Sequence, residues 1–146
     1  MRPDELAARE AVRETIARYA HAVDRAKYDD AAQCFTVDGV LDVRDAGRHE
    51  GREAIAGMFK GAGDRLLKAS RDKALVRHHV SSIQIDVDVT AGRATAGSYF
   101  FVVTDIGPDH WGTYRDTLAR DDATGRWLFT ERTVTVDGRV PKSRMA

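Results

Sequence analysis

The chain has a single cysteine, Cys34, so it cannot build an internal disulfide framework, and a cytoplasmic location is expected. It has no apolar run near the roughly 18 residues of a membrane span. The segment from Met1 to Glu10 is polar and lacks the apolar centre of a secretory signal. Neither charge is in excess: Lys and Arg total 23, as do Asp and Glu, with no block of one sign. Nucleic acids and anionic membranes select a basic footprint, so neither is an expected partner. Glycine-rich dinucleotide loops, Walker loops and nucleophile elbows are missing. His21, His49 and His110 are scattered without metal-ligand spacing. The expectation is therefore no metal and no cofactor.

What is present suits one domain. The 146 residues are 42% hydrophobic and 32% charged, enough for a core beneath a wet surface. A single domain is expected over residues 1–146, with an ordered core at about 5–137. Residues 138–146, with Pro141, Lys142, Ser143 and Arg144, read as a frayed tail.

Hydrophobic spacing changes once along the chain. Leu6, Ala7, Val12, Ile16, Tyr19, Ala20 and Val23 recur in steps of three and four, the stripe of an amphipathic helix. A short helix is predicted from Tyr28 to Phe35, burying Cys34 as a small hydrophobe. A strand is predicted at Val40–Val43, with a short returning strand after it. A third helix, from Glu53 to Leu67, presents Ile55, Met58, Phe59, Leu66 and Leu67, and Gly57, Gly61 and Gly63 predict that it is loose or broken. From Val76 the pattern turns to β. Runs at Val76–Val89, Ala94–Asp105, His110–Asp121 and Arg126–Val136 are separated by Thr90-Ala91-Gly92, Gly107-Pro108 and Ala123-Thr124-Gly125. Helices followed by an antiparallel meander make an α+β fold. A curved sheet of this kind encloses a cavity on its concave face, where a site is expected.

Asp24 ends the first helix, the unfavourable end of the helix dipole for a carboxylate. Tyr19 lies five residues earlier, about 140° away around the axis, and both can border a cavity at the helix end. In a strand, His78 and His79 point to opposite faces. His79 shares parity with Ser81 and Ile83, and His78 with Val80, Ser82 and Gln84, so alternation leaves the inward histidine open. A histidine paired with a carboxylate has a clear use. The carboxylate fixes the imidazole tautomer, and the free nitrogen can take a proton beside a carbonyl and return one to a leaving group. On the strand from His110, Gly112, Tyr114, Asp116 and Leu118 share a face, and a tyrosine there can donate to a developing oxyanion. Tyr99 reads as core.

Three stretches carry a resemblance. Arg18-Tyr19 with Asp24, Tyr28-Asp29 through Cys34-Phe35-Thr36, and Asp38-Gly39-Val40 look like the opening of the SnoaL-like domain family. His78-His79-Val80-Ser81, Gly112-Thr113-Tyr114-Arg115-Asp116 and Gly125-Arg126-Trp127-Leu128-Phe129 resemble its later strands, so the likeness runs from about Glu5 to Asp137. The resemblance implies an NTF2-like cone, an α+β roll with three N-terminal helices on a curved antiparallel sheet. Within the family the chain looks like the group of scytalone dehydratases, bile-acid dehydratases and hexachlorocyclohexane dehydrochlorinases. That likeness implies a catalytic set of Asp24, His79 and Tyr19, choosing His79 over His78. Tyr114, Asp116, Trp111 and Phe59 are the implied substrate-binding residues. The second catalytic histidine of the scytalone dehydratases has no counterpart in these motifs, and Val43 stands where ketosteroid isomerases carry their base.

The reading is a cofactor-independent lyase acting by dehydratase-like elimination on a small apolar cyclic molecule. An isomerase or polyketide-type cyclase using the same pair is the first alternative. A non-catalytic ligand-binding or assembly module is the second. A homodimer or homotrimer is expected, with Val102, Val103, Phe129 and Val134 as candidate exposed apolar positions.

Overall fold

A computed structural model describes residues 1–70 and 74–145 of the chain. Helix α1 spans Pro3–Asp24, with Pro3, Asp4 and Glu5 suiting its N-terminal turn. Its apolar stripe buries Ala8, Val12, Ile16 and Tyr19, while Leu6 stays exposed. The end of α1 is set by backbone hydrogen bonds: Lys27 N–H donates to the Ala22 carbonyl at 2.9 Å and Ala26 N–H to Val23 at 3.1 Å. This is a Schellman cap, and its left-handed position is held by Ala26, at φ 58°, instead of the usual glycine. The cap makes Asp24 the last helical residue and aims its carboxylate at the sheet.

Helix α2 covers Tyr28–Ala32 only, because Phe35 already opens strand β1, Phe35–Val43. Strand β2, Gly47–Glu50, returns beside it, and α3 follows as Arg52–Ala69. Strands β3 (Val76–Asp88), β4 (Arg93–Thr104), β5 (Gly107–Arg120) and β6 (Trp127–Arg139) form the predicted meander. The turn between β4 and β5 is Asp105-Ile106, so Gly107-Pro108 belongs to β5 and not to the connection. The sheet order is β2-β1-β6-β5-β4-β3, with β1 parallel to β6 and all other neighbours antiparallel. The α1–α2 hairpin and α3 pack on the same, inner face of that sheet.

Three expectations need correction. Helix α3 is continuous, and Gly57, Gly61 and Gly63 lie along a cavity, where missing side chains open space. A Cβ on Gly63 would sit 2.0 Å from the Tyr28 hydroxyl, so only glycine lets that ring lie against the helix. The tail is docked: residues through Arg139 lie in β6 and Ser143 is buried. Ala146 lies outside the described residues. Val102 and Phe129 are fully buried and Val134 lines the cavity, whereas Tyr99, Phe101 and Trp111 are exposed on the outer face of the sheet.

Candidate active site

A cavity of about 440 Å³ opens between the inner face of the sheet and α3. That volume lies within the range of about 300–1,000 Å³ in which small-molecule sites fall. Leu41, Met58, Phe59, Phe100 and Val136 give it an apolar wall, Tyr19, Tyr114, His78 and His110 stand among its polar members, and Tyr28, His49, Arg65 and Thr104 complete the polar lining. A wider concavity of about 900 Å³ on the outer sheet face contains no histidine and hence no comparable pair.

His78, not His79, faces inward. Its ring Nδ1 lies 2.6 Å from Asp24 Oδ1, and its backbone N–H donates to both carboxylate oxygens at 3.2 and 3.1 Å. The expected partner His79 points to the outer face, its ring 5.1 Å from that of Phe101. A β-bulge explains the exchange. Register with β4 shifts between Ser81 and Gln84, and Ser82 takes φ 53°, in the left-handed region. Alternation therefore changes phase there. Val76, His78 and Val80 share the inner face with Ile83, Ile85 and Val87, although their parities differ.

The structure brings a second histidine to the cavity that the sequence motifs did not single out. His110 is the cross-strand partner of Val102, and Val102 also pairs with His78. Its Nδ1 lies 2.8 Å from Asp109 Oδ1. Burial lowers the imidazole below its ordinary value, with Asp109 only partly opposing, so the ring is neutral at neutral pH. A signal existed: His110 has the parity of Tyr114 and Leu118, the face assigned inward.

An ionised carboxylate only accepts hydrogen bonds, so each paired Nδ1 carries the proton. Nε2 of the neutral His110 ring is then a lone-pair acceptor, and in His78 the Nε2 faces away from the carboxylate. Burial pushes the Tyr19 hydroxyl up to about 12 and the Tyr114 hydroxyl well above its ordinary value, so both remain donors at neutral pH. The two histidines and two tyrosines thus set paired acceptors and donors against the apolar wall.

Of the other expected residues, Tyr19, Tyr114 and Phe59 do line the cavity. Asp116 does not, and Trp111 is 41% exposed on the opposite face. The Asp116 carboxylate is bound by Arg132, Nε to Oδ1 at 2.7 Å and Nη2 to Oδ2 at 2.9 Å, with both side chains fully buried. The guanidinium carbon lies 3.8 Å from the Tyr114 ring centre, 4.4 Å from that of Tyr19 and 4.3 Å from that of Phe129. Burial pulls the guanidinium down, but Asp116 outweighs it and Arg132 stays charged. Its Nη1 has no hydrogen-bond partner among the described residues. Asp116 therefore acts beneath the site, holding a cation under the two tyrosines. No motif pointed to Arg132, because its pairing depends on the β5–β6 register.

A family model for the SnoaL-like domain matches residues 4–133. The chain belongs to the SnoaL-like domain family. Solved members and neighbours of this SnoaL-like fold agree. A protein from Catenulispora acidiphila, in complex with S-DNPA, is 30% identical over 90% of this chain and 95% of its own, with a TM-score of 0.76. A protein of unknown function from Mycobacterium tuberculosis is 25% identical over 100% of this chain and 82% of its own, with a TM-score of 0.79. A scytalone dehydratase-like protein from Novosphingobium aromaticivorans is 21% identical over 96% and 91%, with a TM-score of 0.80, and shows the fold alone. NTF2-like and cystatin-like neighbours share the cone expected from the sequence. No curated protein matches the chain.

Proposed function

We propose that the protein is a cofactor-independent lyase of the dehydratase type, acting on a small, largely apolar cyclic molecule. The observation that carries this reading is the 2.6 Å contact between His78 Nδ1 and Asp24 Oδ1 at the wall of an apolar cavity. His78 Nε2 removes a proton from carbon next to a carbonyl, and Asp24 stabilises the imidazolium that forms. The electron pair becomes the new double bond, and the leaving hydroxyl departs as water with the proton returned by His78. Tyr19 or Tyr114 donates to the carbonyl oxygen as charge builds there, with the Arg132 cation beneath both rings. His110 Nε2 accepts from a substrate hydroxyl and so orients the ring. The lineage of the scytalone dehydratase-like neighbour supports this reading at the level of fold.

The test compares adjacent histidines. His78→Ala is expected to lower kcat/KM for a hydroxylated cyclic ketone by about 10²–10⁴, and His79→Ala to leave it within twofold. Mass spectrometry should show loss of water. Full turnover by His78→Ala overturns the reading, and a product of unchanged mass replaces it by isomerisation or cyclisation on the same pair. In this reading the chain assembles as a homodimer or homotrimer through the outer sheet face, where Tyr99, Phe101 and Trp111 are exposed. Light scattering during size-exclusion reads the mass directly.

A further inference from the structure

The carboxylate that holds His110 is held in turn by the C-terminal segment. Asp109 is fully buried and accepts from four donors. Thr104 Oγ1 donates to Oδ2 at 2.8 Å, and His110 Nδ1 lies 2.8 Å from Oδ1. The other two donors come from the tail: Ser143 Oγ donates to Oδ1, and Arg144 N–H donates to Oδ2 at 2.9 Å. The tail is fastened on both sides of this point. Val140 N–H donates to the Asp109 carbonyl at 2.9 Å, and the Arg144 guanidinium grips Asp105 through two contacts of 2.9 Å. One residue further on, Met145 forms part of the cavity wall.

We propose that Ser143 and Arg144 are positioning residues of the site, docking the tail so that Asp109 fixes the His110 ring and Met145 completes the cavity wall. The chemistry is direct. Burial alone would push the Asp109 carboxyl up, but hydrogen bonds from Arg144, Ser143, His110 and Thr104 outweigh it and hold it below the usual carboxylate range. An ionised Asp109 can only accept, so His110 keeps its proton on Nδ1 and turns Nε2 to the cavity. Without the tail, two of four donors are lost and water reaches the ring. The charged or titratable groups acting on His110 are Asp109, His78 and Arg139. The effect on turnover rests on the acid/base reading above, whereas the ring orientation does not.

The experiment uses the full-length chain with Ser143→Ala/Arg144→Ala, and nitrogen-15 spectra of the imidazoles need no substrate. The wild type should show one Nδ1–H tautomer for His110. The double variant should show mixed tautomers and a titration midpoint nearer the ordinary value, with His78 unchanged. Turnover should fall at least tenfold, and Ser143→Thr with Arg144 intact should restore the wild-type spectrum. Unchanged His110 signals in the double variant overturn the proposal. So do altered signals with unaltered turnover, in an enzyme that His78→Ala inactivates. Failure of the acid/base reading appears separately, as full activity in His78→Ala. If the double variant unfolds, Ser143→Ala alone removes one donor and carries the same spectral test.

Discussion

The two histidine–carboxylate pairs of the cavity sit on alternate strands with Val102 between them, yet they are built in opposite ways. Asp24 reaches His78 across 54 residues of sequence, from the end of α1 where the dipole disfavours a carboxylate. The pair keeps some contact with solvent, at 10% exposure for Asp24 and 15% for His78. Asp109 is the sequence neighbour of His110, is wholly buried, and has its acceptors filled by the tail and by Thr104. The first pair is poorly placed for stability, and its edge on the cavity fits the proton transfer proposed for it. The second is a structural hub with one face on the cavity. The same two residue types thus stand in different surroundings, one carboxylate partly open to solvent and the other wholly buried.

The widest test of that contrast exchanges stability for activity. Asp109→Ala strands buried donors and should destabilise the fold by roughly 3–5 kcal/mol in chemical denaturation. Asp24→Asn should change stability by no more than about 1 kcal/mol, since the helix loses a misplaced charge, while removing most turnover. Equal stability losses from the two would break the comparison.

A smaller effect probes the space between the pairs. An added Cβ at Gly57 meets no atom within 4 Å. Gly57→Leu therefore projects into the cavity without backbone conflict and should raise KM about tenfold. Leucine's helix propensity, about 0.8 kcal/mol better than glycine's, should leave Tm unchanged or higher. An unaltered KM would place the substrate elsewhere.

The hub should also make the protein acid-labile. His110 is depressed, so it is neutral in both states above its unfolded value of 6.5, where its contribution is complete. As pH falls below 6.5 the unfolded chain takes the proton first and stability declines through the folded value. Asp109 is depressed too, so its contribution is complete above 3.8 and is lost as pH falls through its folded value. Denaturation curves from pH 8 to 5 should show the first loss, and His110→Gln should flatten it. A flat wild-type profile would remove the distinction between the pairs.

The smallest effect concerns the helix end that carries Asp24. Ala26 holds a left-handed φ of 58°, so Ala26→Gly should relieve strain and stabilise by about 0.4–1 kcal/mol, leaving kcat unchanged. A loss of activity would show that the alanine itself sets the carboxylate's aim.

Much of this was legible in the chain. The three- and four-residue steps of α1 located Asp24 and Tyr19, and the turn residues marked two of the three hairpins of the meander. The inward histidine was not legible, because alternation from Val80 leads to His78 and alternation from Ile83 to His79, and only the Ser82 bulge reconciles the two. The glycines of α3 read as weakness, since propensity is local and the cavity they face is formed by distant strands. Asp116 lay on the inward face as expected, but the same face carries Arg132, and a buried cation claims the nearest carboxylate. The tail read as frayed because its polar residues find their partners only where Asp105 and Asp109 come together.

By itself, then, the sequence determined the elements, their order, the α+β class and a carboxylate at the end of the first helix, because periodicity and turn chemistry act over a few residues, while the cone was what the family resemblance implied. Tertiary structure decided which histidine meets Asp24, that His110 joins it, and that Arg132 and the C-terminal segment complete the site. Those outcomes depend on strand register, one bulge and the burial of charge, none of which is fixed until distant segments meet.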